Sequence, residues 1–318
     1  MRIGIITPAP PGSNYGNRVT AVRWAKILRK LGHQVSIAEK YDQQPFGLLI
    51  ALHARRSSPS ITRWRRKNPD APLVVALTGT DLYRDIQTKI RAKESLKLAD
   101  RIVLLQPRAL KELTLSLRKK TRVIYQSVEA KSVRTNRRAP RRVFDVCVIG
   151  HLRPVKDPFR AALASRLLPA TSQIRILQIG RAMTKQMVEK ARGEMKFNPR
   201  YRWLGEVSRA RALRVLANSD LCVIPSRIEG GANVLSEAIV AAVPVLASRI
   251  DGNIGILGPD CPGLFGVGDT RELARLMKRA ESDPKFLSRL KTRAKKLAPL
   301  FDPAREVRAW ADLLDELY

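Results

Sequence analysis

The sequence predicts an α/β protein of two doubly wound parallel-sheet domains, and three observations lead there. Short apolar, β-branched runs alternate with amphipathic helical stretches from end to end, the pattern of sheets assembled from βαβ units. With 318 residues, 44% of them hydrophobic, the chain can fill two cores of ordinary domain size. The alternation breaks once, from Glu129 to Arg142, in a polar, basic stretch without apolar period that reads as a linker.

The first half carries six expected strands, Ile3 to Thr7, Gln34 to Ala38, Leu48 to His53, Leu73 to Leu77, Ile102 to Leu105 and Val123 to Tyr125. The run that follows Met1 is too short for a signal peptide and reads as the first of them. A new strand begins near Phe144, and the second half repeats the scheme with Asp145 to Gly150, Ile174 to Ile179, Tyr201 to Leu204, Leu221 to Ile224 and Pro244 to Ala247. The expected domains are residues 1–140 and 141–301. In such sheets ligands sit beyond the carboxyl ends of the strands, so the chemistry is sought in those loops.

Composition narrows the function classes. Sixty Lys and Arg against 28 Asp and Glu give a formal charge of +32, which attracts phosphates, nucleic acid and anionic lipid alike. The basic residues are spread along the chain, no nucleic-acid motif accompanies them, and 5% aromatic content offers few platforms for base stacking. A basic solvated surface is the simpler reading, with no specific nucleic-acid partner. Cys147, Cys222 and Cys261 lie far apart and form neither a zinc cluster nor a disulfide framework, consistent with a reduced, cytoplasmic protein. No run approaches the roughly 20 apolar residues a membrane span needs. No Asp-x-Asp pair stands at a strand end, so an obligatory protein-bound metal is not expected, and no motif calls for a cofactor.

The strongest motif is Glu229-Gly230-Gly231-Ala232-Asn233-Val234-Leu235-Ser236-Glu237, directly after the strand that ends at Ile224. Two glycines let backbone N–H groups approach a ligand, and the helix beginning there aims its positive end at anionic oxygens such as phosphate. Glu229 before the helix and Glu237 two turns into it are placed to accept from sugar hydroxyls. The plainer alternative makes Glu229 a dipole partner and Glu237 a surface acid.

A second motif, Gly150-His151-Leu152-Arg153-Pro154-Val155-Lys156-Asp157-Pro158, follows the first strand of the second half. A cation at a strand end neutralises a diphosphate leaving group, which carries most of the charge that develops in sugar transfer. Lys156 is the candidate, alone or paired with Arg153, and a solvated surface lysine is the other reading.

In the first half, the loop after the first strand offers Gly12, Ser13, Asn14, Gly16, Asn17 and Arg18. Its glycine spacing fits neither a dinucleotide fingerprint nor a Walker loop. Arg18 or the helix N-terminus can hold an anionic acceptor, or the segment simply connects. The fourth strand ends in Leu77-Thr78-Gly79-Thr80-Asp81-Leu82.

The Glu-x7-Glu element resembles that of retaining GT-B glycosyltransferases, which have two Rossmann-like domains facing a central cleft. The resemblance implies a transferase in which Glu229 contacts the donor sugar and Glu237 the nucleotide ribose. It places Gly150, His151, Gly230, Gly231, Ala232 and Asn233 around the donor, and Thr78, Gly79 and Asp81 with the first loop on the acceptor side. It also implies that residues 302–318 cross back onto the first domain. Two departures stand out: Thr78 occupies the position of a usual His, and His151 that of a usual Arg. His53 is the imidazole that can substitute for the first.

Together the Thr78, His151 and Glu229 motifs, extended by Ser248-Arg249-Ile250-Asp251-Gly252-Asn253, resemble the selenosugar synthases of selenoneine biosynthesis over nearly the whole chain. This implies that selenophosphate attacks the anomeric carbon of a UDP-sugar, UDP-N-acetylglucosamine being the expected donor. An anionic selenium needs no general base, which suits Thr78. A conventional transferase acting on an oxygen acceptor is the alternative.

Overall fold

The computed structural model describes residues 1–133 and 142–318, and in it the β-branched and leucine-rich runs form parallel strands. The chain divides into two compact units, Met1–Ser127 with Glu229–Ala232 and Asp302–Tyr318, and Val128–Ile228 with Asn233–Phe301.

In the first unit the strands are β1 (Arg2–Ile6), β2 (Gln34–Ala38), β3 (Leu48–Leu52), β4 (Leu73–Ala76), β5 (Arg101–Leu104) and β6 (Thr121–Val123). They form one parallel sheet in the order β2-β1-β3-β4-β5-β6. Successive side chains of a strand point to opposite faces, so a sheet covered on both sides needs apolar residues at every position. β3 meets that demand: Leu48, Ile50 and Leu52 join a core with Trp24 and Trp310, while Leu49 and Ala51 join the opposite core with Ile61 and Trp64.

The helix Pro303–Asp315 belongs to this unit although it closes the chain. Asp302 caps it by accepting from Ala304 N at 2.7 Å, and Trp310 meets Trp24 edge-on with ring centroids 4.8 Å apart. Its buried Glu306 accepts from Arg23 Nε, Trp24 Nε1 and both the N–H and hydroxyl of Ser127. One carboxylate thus ties the last helix to the first helix and to the end of the unit's main segment.

The second unit holds β7 (Phe144–Ile149), β8 (Ile174–Ile179), β9 (Tyr201–Trp203), β10 (Leu221–Ile224), β11 (Val245–Ser248) and β12 (Leu264–Phe265), ordered β12-β11-β10-β7-β8-β9 and again parallel. β12 was not among the expected strands, since two residues are too few to show a period. Its core collects Val146, Val148, Ile176, Leu221, Val223 and Leu246 against Phe265, Leu273, Met277 and Phe286.

The division falls at Ser127 and Val128, earlier than the expected 140/141 boundary, because Val128 N donates to Phe301 O and the turn Ala130–Val133 packs on helices of the second unit. The rest of the expected linker, residues 134–141, lies outside the described residues. Among the described residues no helix is long and apolar enough to cross a membrane.

Removing a partner from a buried ionic cluster strands its remaining members. Glu306→Ala should therefore lower stability by about 3 kcal/mol, with Glu306→Gln losing less. Urea unfolding measures this, and a loss within error of zero would remove Glu306 from the structure's supports.

Candidate functional site

In an open parallel sheet a ligand site forms where the strand order reverses, beyond the carboxyl ends. The reversals fall between β1 and β3 in one sheet and between β7 and β10 in the other. The residues singled out from the sequence sit at the ends of β1, β4, β7 and β10.

After β1, Gly12 turns the chain at a φ of 71°, a conformation that costs glycine little, and Ser13 Oγ donates to Pro10 O at 2.8 Å. Asn14 precedes the helix Gly16–Lys30, whose first turn holds Gly16, Asn17 and Arg18. That turn carries no acidic residue, and Tyr15 gives it no side-chain cap. Arg18 is partly buried with its Nη1 enclosed, and that nitrogen finds no hydrogen-bond acceptor among the described residues. An enclosed guanidinium N–H in that condition can take an acceptor from outside the protein.

After β4 the turn is shaped from beneath. Asp81 is fully buried, and its Oδ1 accepts from Thr78 N and Gly79 N, both at 2.9 Å, while Oδ2 accepts from Ala54 N at 3.0 Å. Asp81 therefore acts on the site by holding the backbone of Thr78 and Gly79. Thr78 stays partly exposed. His53 is buried with a φ of 75°; its Nδ1 accepts from Arg56 N, which leaves the proton on Nε2, 3.1 Å from Thr80 Oγ1. The ring is thus committed to the turn and does not take the role of the missing His at position 78.

Glycine is required where Glu229–Ala232 meets this turn, within the same unit. A Cβ on Gly230 would lie 2.6 Å from Thr78 C and O, and one on Gly79 would lie 2.9 Å from Gly230 N. Gly231 packs against Leu105, and its carbonyl accepts from Gln126 Nε2 at 2.5 Å. The Gln126 Oε1 in turn accepts from Thr20 Oγ1 and Arg23 Nη2. Sequence reasoning passed over Gln126; a buried amide just beyond the end of β6 was the available signal. Glu229 and Ala232 are both buried.

In the second unit, Gly150 N donates to Ile179 O as β7 ends. The position of a Gly150 Cβ is 3.9 Å from Lys156 Cδ, so the lysine stem runs alongside this glycine. His151 Nδ1 accepts from Arg181 N at 3.3 Å, placing the ring proton on Nε2. Arg153 and Lys156 share one turn, closed by Lys156 N donating to Arg153 O, and Val155 O accepts from Arg227 N just past β10. The backbone of the turn that carries both residues is thereby fixed at the β7–β10 reversal. Asn233 and Glu237 lie on the helix Asn233–Val240, with the buried Glu237 accepting from Arg209 Nη2 at 2.6 Å.

The model of the family described as "Glycosyl transferases group 1" matches residues 131–297, just over half of the chain. The chain belongs to that family. Solved structures extend the likeness in fold to both units of this glycosyltransferase. HepE of Anabaena, in complex with UDP and glucose, aligns over 99% of this chain and 100% of its own at 16% identity and a TM-score of 0.80. The sucrose-phosphate synthase of Thermosynechococcus elongatus covers 99% and 98% at 16% identity and 0.81, and a glycosyltransferase of Rickettsia africae 99% and 98% at 13% and 0.75. At these identities the likeness is one of fold, the fold called GT-B. Comparison with curated proteins gives no match.

Burial holds the His53 imidazole below its ordinary value of 6.5, against an opposing pull from Asp81. Unfolding releases the ring, so just below that value the unfolded chain binds more protons and stability falls as pH drops. The urea midpoint should fall more steeply from about pH 7.5 to about pH 5 in the unaltered glycosyltransferase than in His53→Gln. Equal slopes would show that the ring titrates alike folded and unfolded.

Proposed function

We propose that this glycosyltransferase joins the sugar of a UDP-sugar, UDP-N-acetylglucosamine, to selenophosphate through a C–Se bond. The observation that carries the acceptor is the turn after β4: Thr78 stands there without an imidazole, and His53 is engaged beneath it with Thr80. A hydroxyl acceptor calls for a base at that point, whereas an anionic selenium does not. The enclosed Arg18 nitrogen supports an anion on the same side. For the donor, support comes from the family and from the UDP-glucose bound to HepE, a structure of the same fold.

In this reading Gly150, His151, Gly230, Gly231, Ala232 and Asn233 line the donor, Glu229 accepts from sugar hydroxyls and Glu237 from the ribose. Gly12, Ser13, Asn14, Gly16, Asn17, Arg18, Thr78 and Gly79 surround the acceptor, with Asp81 holding the turn. Selenium attacks C1 as the C1–O bond breaks, and its electron pair leaves with UDP. Lys156 and Arg153 stabilise the charge that builds on the diphosphate. Water then adds to phosphorus, the Se–P pair returns to selenium, and phosphate departs from a 1-seleno-sugar.

Mass spectrometry of an anaerobic incubation with UDP-N-acetylglucosamine, with and without selenophosphate, tests the proposal. UDP and a seleno-sugar should form together only when selenophosphate is present, and Lys156→Ala should lower kcat by about 100-fold while remaining folded. UDP binding without a selenium product would return the acceptor to an oxygen nucleophile; full turnover by Lys156→Ala would remove its role.

A further inference from the structure

Glu237 lies in the helix Asn233–Val240 with 4% of its surface exposed, and a carboxylate taken that far from water needs a partner. The partner is one-sided. Oε1 accepts from Arg209 Nη2 at 2.6 Å, whereas Oε2 accepts from no described residue and is not sealed among the enclosed polar atoms. Arg209 opens the helix Arg209–Asn218, fixed at its start by Ser208 Oγ accepting from Arg211 N, and its side chain is 44% exposed. A guanidinium standing half in solvent therefore clamps one oxygen of a buried carboxylate and leaves the other for a donor from outside the protein.

We infer that Arg209 is a positioning residue for nucleotide recognition: it holds Glu237 so that Oε2 accepts from the ribose hydroxyls of a nucleoside diphosphate. This rests on the nucleotide-sugar reading above and deepens it. The clamp serves in two ways. It sets the direction of the free oxygen, and it offsets a negative charge that would otherwise repel the diphosphate of the same ligand. Lys156 and Arg153 address the phosphates, so the specificity for ribose falls to the Arg209–Glu237 pair.

Calorimetric titration with UDP and with 2′-deoxy-UDP provides the test. The unaltered protein should prefer UDP by about tenfold or more, the range expected for a hydroxyl donating to a charged acceptor. Arg209→Ala should shrink that preference to about twofold, and Arg209→Lys should restore part of it. A structural role alone would lower stability without moving the ratio of the two affinities. Should Arg209→Ala not fold, Arg209→Gln carries the comparison, with a reduced ratio again expected. An undiminished ratio in the folded variant, or equal binding of the two nucleotides by the unaltered protein, overturns the inference while leaving the donor reading intact. Failure of the unaltered protein to bind UDP sinks the donor reading itself, and this inference with it.

Discussion

A carboxylate that leaves water must find a cation or a set of N–H donors, and both units of this protein are organised around carboxylates that do. Asp85 takes Arg55 and Arg84, Asp145 takes both arms of Arg175, Glu194 takes Arg166 and Asn198, Glu237 takes Arg209, and Glu306 takes Arg23 with three further donors. Asp81 differs in relying on three backbone N–H groups, with the Thr78 hydroxyl as a longer fourth donor at 3.5 Å. Arginine suits these places because its planar fork matches a carboxylate and stays charged on burial. Part of the basic excess is thus built into the folded frame.

The same rule prepares the site. Asp81 gathers the N–H groups of the turn after β4, which sets the path of Thr78 and Gly79 and brings them against Gly230 with no room for a side chain at either glycine. Gln126 does the equivalent work for Gly231. Loops at strand ends are the part of such a protein least constrained by sheet pairing, and here they are made rigid by buried polar groups placed one layer below. The exposed face is then free to carry the residues that meet a ligand.

Charge acts differently on the two sides of the proposed chemistry. Lys156 and Arg153, fixed in one turn by backbone bonds, would act on charge that grows during reaction, whereas Arg18 would hold an anion already formed. Neither role needs a base within the protein. In the proposed reading, an acceptor that brings its own negative charge would suit a turn after β4 in which Thr78 stands without an imidazole.

The apolar runs by themselves determined that the chain makes two parallel sheets, because runs like Leu48 to Leu52 can be satisfied only when both faces are covered. They also placed the glycine-flanked motifs at strand ends. The glycosyltransferase family was legible in Glu229 to Glu237 because that motif is contiguous in the sequence. Other features depended on partners remote in sequence. β12 is too short to announce itself, and the end of the first unit's main segment is decided by Val128 bonding to Phe301. From the sequence His53 reads either as a structural histidine at a strand end or as a substitute for the imidazole absent at position 78, and only the fold shows Arg56 and Thr80 on its nitrogens. Arg209 and Gln126 are one arginine among sixty basic residues and one amide past a weak strand, and only folding brings the first to Glu237 and the second to Gly231. Periodicity records which face of an element meets a core; it carries no record of which distant side chain will complete a buried polar group.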